Sequence, residues 1–187
     1  MPLYGCPNRL NWWGSKSGSR TLFRKAGLLM PAGYENLESM PEVAEALTAL
    51  HREHPHMRKA VVKLNDGFSG DGNAMFTFPE HPTVTETDLR SGLHPVARDM
   101  TYDQYAEKMD LMGGIVEAFI DGAVKTSPSV QCRITPTGVS EVISTHDQIL
   151  GGDCCQEYQG ARFPADPGYS AALGDLGKRA SDFLHQE

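Results

Sequence analysis

The chain reads as α+β, and three features predict it. Strand-like runs follow one another through short turns, helix-like runs are grouped between them, and the densest β signal gathers late, in "GIVEAFID", "SVQCRITP" and "VSEVISTHDQIL". A parallel α/β sheet needs a crossover, usually a helix, between successive strands, and that alternation is missing. With 187 residues, 40% of them hydrophobic and 22% charged, the chain can bury a core as one domain or two small ones.

Each element has its own local reason. Residues 1–11 carry the breakers Pro2, Gly5 and Pro7 and are expected to be irregular. "SKSGSRTLFRKAGL" predicts a helix with Ser17 or Ser19 as N-cap, an apolar face of Leu22, Phe23 and Ala26, and Gly27 as its stop. "LLMPAG" leaves it in an extended or turn conformation. "SMPEVAEALTALHREHP" predicts a second helix, capped by Ser39, with Pro41 in its first turn and Val43, Ala46, Leu47 and Leu50 along one face. A β-hairpin follows, with strands at 60–64 and 74–78. "EHPTVTETDLRSGLHP" is polar and turn-rich and reads as a surface excursion, whereas "TYDQYAEKMDLMGG" is a helix ended by its glycine pair. Beyond the three late strands lies a glycine- and proline-rich loop over 151–168. An amphipathic helix closes the chain in "YSAALGDLGKRASDFLHQE".

Charge and cysteine usage narrow the function classes. A formal net charge of -7 with no basic stripe excludes a general nucleic-acid or membrane-surface binder. Any phosphate contacts must be local, made by one or two lysines and backbone amides. Cys6, Cys132, Cys154 and Cys155 show no C-x-x-C spacing, and an adjacent pair makes a strained disulfide, so reduced thiols are expected. With no membrane-length apolar run and no signal-peptide pattern at the N-terminus, the expected location is the cytoplasm.

The informative stretch is "VVKLNDGFSGDGNAMFTF". Gly67, Gly70 and Gly72 let the backbone approach a ligand and turn its amides inward, and Ser69 can add a hydrogen bond. Neither a Walker nor a Rossmann pattern fits, because a strand follows the loop rather than a helix. The spacing alone leaves a plain hairpin and a phosphate cover both open. Lys63 interrupts a strand that is apolar on both faces. It calls for an anion, which a nucleotide phosphate would supply, or else for a place at a solvent edge.

The ordered set of these pieces resembles the ATP-grasp superfamily. Lys16 in "GSK", the basic pair in "RKAGL", "AVVK" ending at Lys63, the glycine-rich hairpin and "VEAFI" follow one another as they do in that family. "VVKLNDGFSGDGNA", "VEAFIDG", "SPSVQCRITPTG", "STHDQILGG" and "YQGARFPAD" resemble most closely its bacterial carboxylate–amine (peptide) ligases. The resemblance implies an ATP-grasp lid subdomain over 16–115, after an irregular lead over 1–15, and part of the antiparallel-sheet catalytic subdomain over 116–187. It implies that Lys16 and Lys63 contact the ATP phosphates, and that Gly67, Ser69, Gly70, Gly72 and Asn73 form the closing tip. Glu117 and the backbone of Phe119 and Ile120 would read adenine, with Ile120 and Val62 as apolar walls. His146 and Gln148 would face the substrate pocket.

The implied cofactors are ATP and Mg²⁺, the implied partners small-molecule or peptide carboxylates and amines, with no nucleic acid or membrane. The implied reaction is amide or peptide bond formation through an acyl phosphate. One departure stands out: the family's E-x-N metal motif does not occur after Gln148. The expectation is therefore a fragment whose metal ligands lie outside this chain. A non-catalytic nucleotide-binding or regulatory module, or a plain structural domain, are the alternatives. His51, His54 and His56 in "HREHPHM" read as helix-end histidines rather than metal ligands, Cys154 and Cys155 as inert thiols, and "NWWG" as packing beside Lys16.

Overall fold

The structure, a computed structural model, describes residues 8–67, 70–152 and 157–187. Cys6, Ser69, Cys154 and Cys155 lie outside the described residues. A 3-10 helix (Asn8–Gly14) leads into α1 (Lys16–Lys25), followed by β1 (Gly33–Leu37) and α2 (Met40–Glu53). The hairpin is β2 (Lys59–Leu64) and β3 (Asn73–Thr77), and after it come α3 (Glu86–Gly92), β4 (Leu93–Pro95) and α4 (Tyr102–Met112). The remainder is β5 (Gly114–Ala118), β6 (Pro128–Ile134), β7 (Ser140–Gly151), β8 (Glu157–Arg162) and α5 (Ser170–Gln186).

The strands form two antiparallel sheets, one in the order β1-β5-β2-β3-β4 and one in the order β6-β7-β8. The α+β expectation therefore holds. One face of the larger sheet carries Ala60, Val62, Leu64, Phe76 and Val116. Val43, Leu47 and Leu50 of α2, Leu89 of α3, and Tyr105 and Met109 of α4 pack into the same core, and all six are fully buried. Alternation along β2 turns Val61 and Lys63 to the opposite face, away from this core.

Helix α5 covers the smaller sheet and ties it to the larger one through α1. Its Arg179 donates to the carbonyls of Ala26 and Gly27 at 2.9 and 2.8 Å, a cation on the C-terminal end of α1. Phe183 meets Trp13 edge-on at 5.8 Å, and Lys25 lies over both rings. Of "NWWG", Trp13 thus packs beside α1, whereas Trp12 is exposed.

Helices α2, α4 and α5 and the hairpin match their sequence signals, Ser39 capping α2 and Gly113 ending α4 at φ 67°. Several expectations need correction. The N-cap of α1 is Ser15, which accepts the Gly18 N–H at 3.0 Å, while Ser17 is buried and instead accepts the Asn36 N–H. The buried face of that helix is Ser17, Gly18, Arg20 and Leu22, whereas Phe23 is exposed. Strands β1 and β8 occupy stretches expected to be connecting chain; "GYENL" and "EYQGAR" are too polar to announce a strand, and pairing with β5 and β7 decides them. The polar stretch after β3 is not a mere excursion, because a Thr85–Asp88 capping box starts α3 and Val84, Leu89 and Leu93 enter the core. Residues 8–11, expected to be irregular, belong to the 3-10 helix. Among the described residues, no helix is long and apolar enough to cross a membrane.

Candidate functional site

The face of the larger sheet opposite its helices and strand β7 enclose a cleft of about 700 Å³. Val61 and Lys63 line one side, Glu117 and residues 118–121 the floor and edge, and Gln148 and Leu150 the far side. Lys63, Glu117, Phe119, Ile120 and Gln148, singled out from the sequence, thus line one cavity. Val62 does not: it is fully buried in the core, and Val61 supplies the apolar wall in its place.

Register explains the pairing at the centre. Val61 stands opposite Glu117 and Lys63 opposite Ile115, so Lys63 and Glu117 are diagonal neighbours on one face. Long side chains bridge such a diagonal. The Lys63 Nζ donates to Glu117 Oε2 at 2.6 Å, so the anion that its position calls for is within the chain. The other oxygen, Oε1, takes a 2.7 Å bond from Nη1 of Arg20 on α1. Burial alone would raise the Glu117 carboxyl. Attraction and hydrogen bonding from Lys63, joined by Arg20, outweigh that and hold it below its ordinary value.

Arg20 carries no sequence signal and is a residue that sequence reasoning missed. It is buried, and besides Glu117 it donates to Glu35 Oε2 at 3.2 Å and to the Pro31 carbonyl at 3.1 Å. Glu35 in turn pairs with Arg24.

Lys16 lies one helical turn before Arg20 but points toward the hairpin tip, where its Nζ donates to the Gly67 carbonyl at 3.3 Å. Burial and the neighbouring Lys63 lower its pKa, with Asp66 and Glu117 acting in the opposite direction. Asn65 fixes this end of α1: its side chain accepts the Ser17 N–H at 2.9 Å and donates to the Met112 carbonyl at 2.9 Å.

The remaining candidates occupy other settings. A Cβ on Gly67 would stand 2.6 Å from the Gly72 Cα, and one on Gly72 would stand 2.7 Å from the Gly67 Cα, so the arms of the tip touch backbone to backbone. Gly70 has φ 95° and its carbonyl accepts the Asn73 N–H. The Gly72 carbonyl accepts the Leu64 N–H, and Asn73 stands opposite Lys63 in the ladder. The Phe119 N–H is committed to the Lys59 carbonyl at 3.3 Å. Gln148 Oε1 accepts from Ser127 Oγ at 3.0 Å, at the mouth of the cleft. His146 is not a lining residue; its Nε2 lies 3.3 Å from Ser144 Oγ and its ring tilts onto Phe163. Among the described residues no group of three His, Cys, Asp or Glu could hold a metal ion, and His51 stacks on Phe78 instead.

A family model described as "IQCH-like, ATP-grasp" matches residues 7–92. An L-propargylglycine–L-glutamate ligase of Streptantibioticus cattleyicolor is 31% identical over 173 residues, 92% of this chain. The chain is related to the ATP-grasp superfamily. It spans about a third (35%) of that ligase's length. The fold also matches a biotin carboxylase of Campylobacter jejuni, solved as a β,γ-ATP complex, at TM-score 0.67 and 17% identity over 94% of this chain and 35% of that one. A biotin carboxylase domain of the 2-oxoglutarate carboxylase of Hydrogenobacter thermophilus, solved with MgADP, ADP and bicarbonate, matches at TM-score 0.65 and 15% identity, over 95% and 35% of the two chains. At such identities these two likenesses show the fold alone.

Proposed function

We propose that this chain is the ATP-binding portion of an ATP-dependent carboxylate–amine ligase, which forms an amide or peptide bond through an acyl phosphate. Residues 16–115 act as the lid subdomain and 116–187 as part of the catalytic subdomain. The reading is carried by one observation: Lys63 and Glu117 face a cleft whose edge is the backbone of 118–121. A relative that is itself a ligase supports the reaction class.

The chemistry is positioning and charge neutralisation. Adenine lies along the hinge at Glu117, Phe119 and Ile120, against Val61. Lys63 exchanges its carboxylate for a phosphate oxygen, Lys16 supplies a second cation, and the tip with Gly67, Ser69, Gly70, Gly72 and Asn73 covers the phosphates. A substrate carboxylate attacks the γ-phosphorus with ADP leaving; an amine then displaces phosphate to give the amide. Gln148, which lines the cleft, faces the carboxylate or amine. Among the described residues no group of three His, Cys, Asp or Glu fits a magnesium site.

The test is calorimetric titration with ATP and with adenosine. Lys63→Ala is expected to cost ATP about 1.5–3 kcal/mol, roughly a ten- to hundredfold loss, with adenosine unchanged. Equal ATP affinity in both proteins, or no binding by either, would overturn the phosphate role.

A further inference from the structure

The shared carboxylate of Glu117 raises a problem for any phosphate role of Lys63. A lysine paired at 2.6 Å with a buried carboxylate is close to neutralised, and an incoming phosphate must compete with that carboxylate. Arg20 changes the balance. It occupies Oε1 of Glu117 at 2.7 Å, leaving Lys63 only Oε2. The connected group comprises three cations, Arg20, Arg24 and Lys63, and two carboxylates, Glu35 and Glu117. One positive charge is left over. Arg20 is buried and locked by Glu35 and the Pro31 carbonyl, so the surplus falls to the two ends of the group, exposed Arg24 and partly exposed Lys63, and of these Lys63 is the one at the cleft.

We infer that Arg20 is a positioning residue that, by holding one oxygen of Glu117, leaves Lys63 free to exchange its carboxylate for a phosphate. It touches no ligand itself, since it approaches Glu117 from α1 and is absent from the cleft lining. A planar guanidinium fork suits this role. Its Nε and Nη1 reach two carboxylates and a carbonyl at fixed angles, which an ammonium cannot reproduce. The inference rests on the phosphate reading of Lys63, and the experiment separates the two.

ATP and adenosine are titrated into the wild-type chain, Lys63→Ala, Arg20→Gln, Glu117→Gln and the Arg20→Gln/Glu117→Gln double variant. Arg20→Gln is expected to weaken ATP about fivefold or more, in the range of site-to-site couplings, and to leave adenosine unchanged. In the Glu117→Gln background, where no carboxylate can capture Lys63, adding Arg20→Gln should change neither affinity. An equal loss for both ligands, or an undiminished ATP loss in that background, overturns the inference and leaves Arg20 a purely structural residue. If Lys63→Ala weakens ATP while Arg20→Gln does not, this inference fails alone; if Lys63→Ala has no effect, the phosphate reading fails with it. Should Arg20→Gln not fold, Arg20→Lys replaces it. That variant keeps the charge without the fork, so a partial ATP-specific loss supports the inference and full wild-type ATP affinity refutes it.

Discussion

Replacing Glu117 by glutamine keeps its size and removes the one charge that two cations share. Arg20 donates to it at 2.7 Å and Lys63 at 2.6 Å, and the carboxylate is buried. Removing one partner of a buried pair costs about 3–5 kcal/mol. Here Arg20 retains Glu35 and the Pro31 carbonyl, and Lys63 is partly exposed and can turn to water, so neither cation is fully orphaned. The cost therefore falls at or just below the lower end, about 2–3 kcal/mol. Urea denaturation at neutral pH reads it directly. Acidification supplies the internal control. The folded carboxyl lies below its ordinary value of 4.5, so the folded state binds fewer protons than the unfolded one around that pH. The contribution is fully present above 4.5 and is lost as pH falls through the lower folded value. The gap between wild type and Glu117→Gln should therefore close as the pH is lowered. Equal stability at neutral pH, or a gap that persists unchanged in acid, would refute the shared-carboxylate argument.

Two further substitutions probe the hairpin that carries Lys63. Tyr105→Phe removes a buried hydroxyl that lies 3.0 Å from both the Val62 and Gly72 carbonyls. Because Gly72 also accepts the Leu64 N–H, that carbonyl is not orphaned. The cost should be about 0.5–1.5 kcal/mol by chemical denaturation, and a loss well above that would show that the hydroxyl does more than hydrogen-bond. Gly72→Ala places a methyl 2.7 Å from the Gly67 Cα, where only backbone movement can relieve the clash. A destabilisation of about 1–3 kcal/mol is expected, with faster hydrogen exchange at the Leu64 amide. Unchanged exchange would mean that the tip opens without strain.

The fold is legible where local rules and tertiary packing agree. Ser39 and Pro41 open α2, Gly113 closes α4, and the valines of β2 mark a strand buried on both sides. It is illegible where pairing overrides composition. Glu35 and Asn36 make β1 read as loop, yet β5 captures it, and β8 is an edge strand with mostly exposed side chains. The site shows the same division. Lys63 announces itself as a cation in an apolar strand, and Glu117 and the hinge follow from family resemblance. That Lys63 pairs with Glu117 depends on strand register across 54 residues, which no local pattern encodes. Arg20 is hidden because a helix face of serine, glycine and arginine looks solvent-exposed until β1 and β5 close over it.

The central claim is that phosphates enter the cleft and take Lys63 from Glu117. A crystal structure of the chain soaked with ATP tests it most directly. The expected result has adenine along the 118–121 backbone and Lys63 Nζ within hydrogen-bond distance of a phosphate oxygen, with Arg20 still on Glu117. A nucleotide bound elsewhere, or one in the cleft with Lys63 still paired to Glu117 and no phosphate within its reach, would contradict the account.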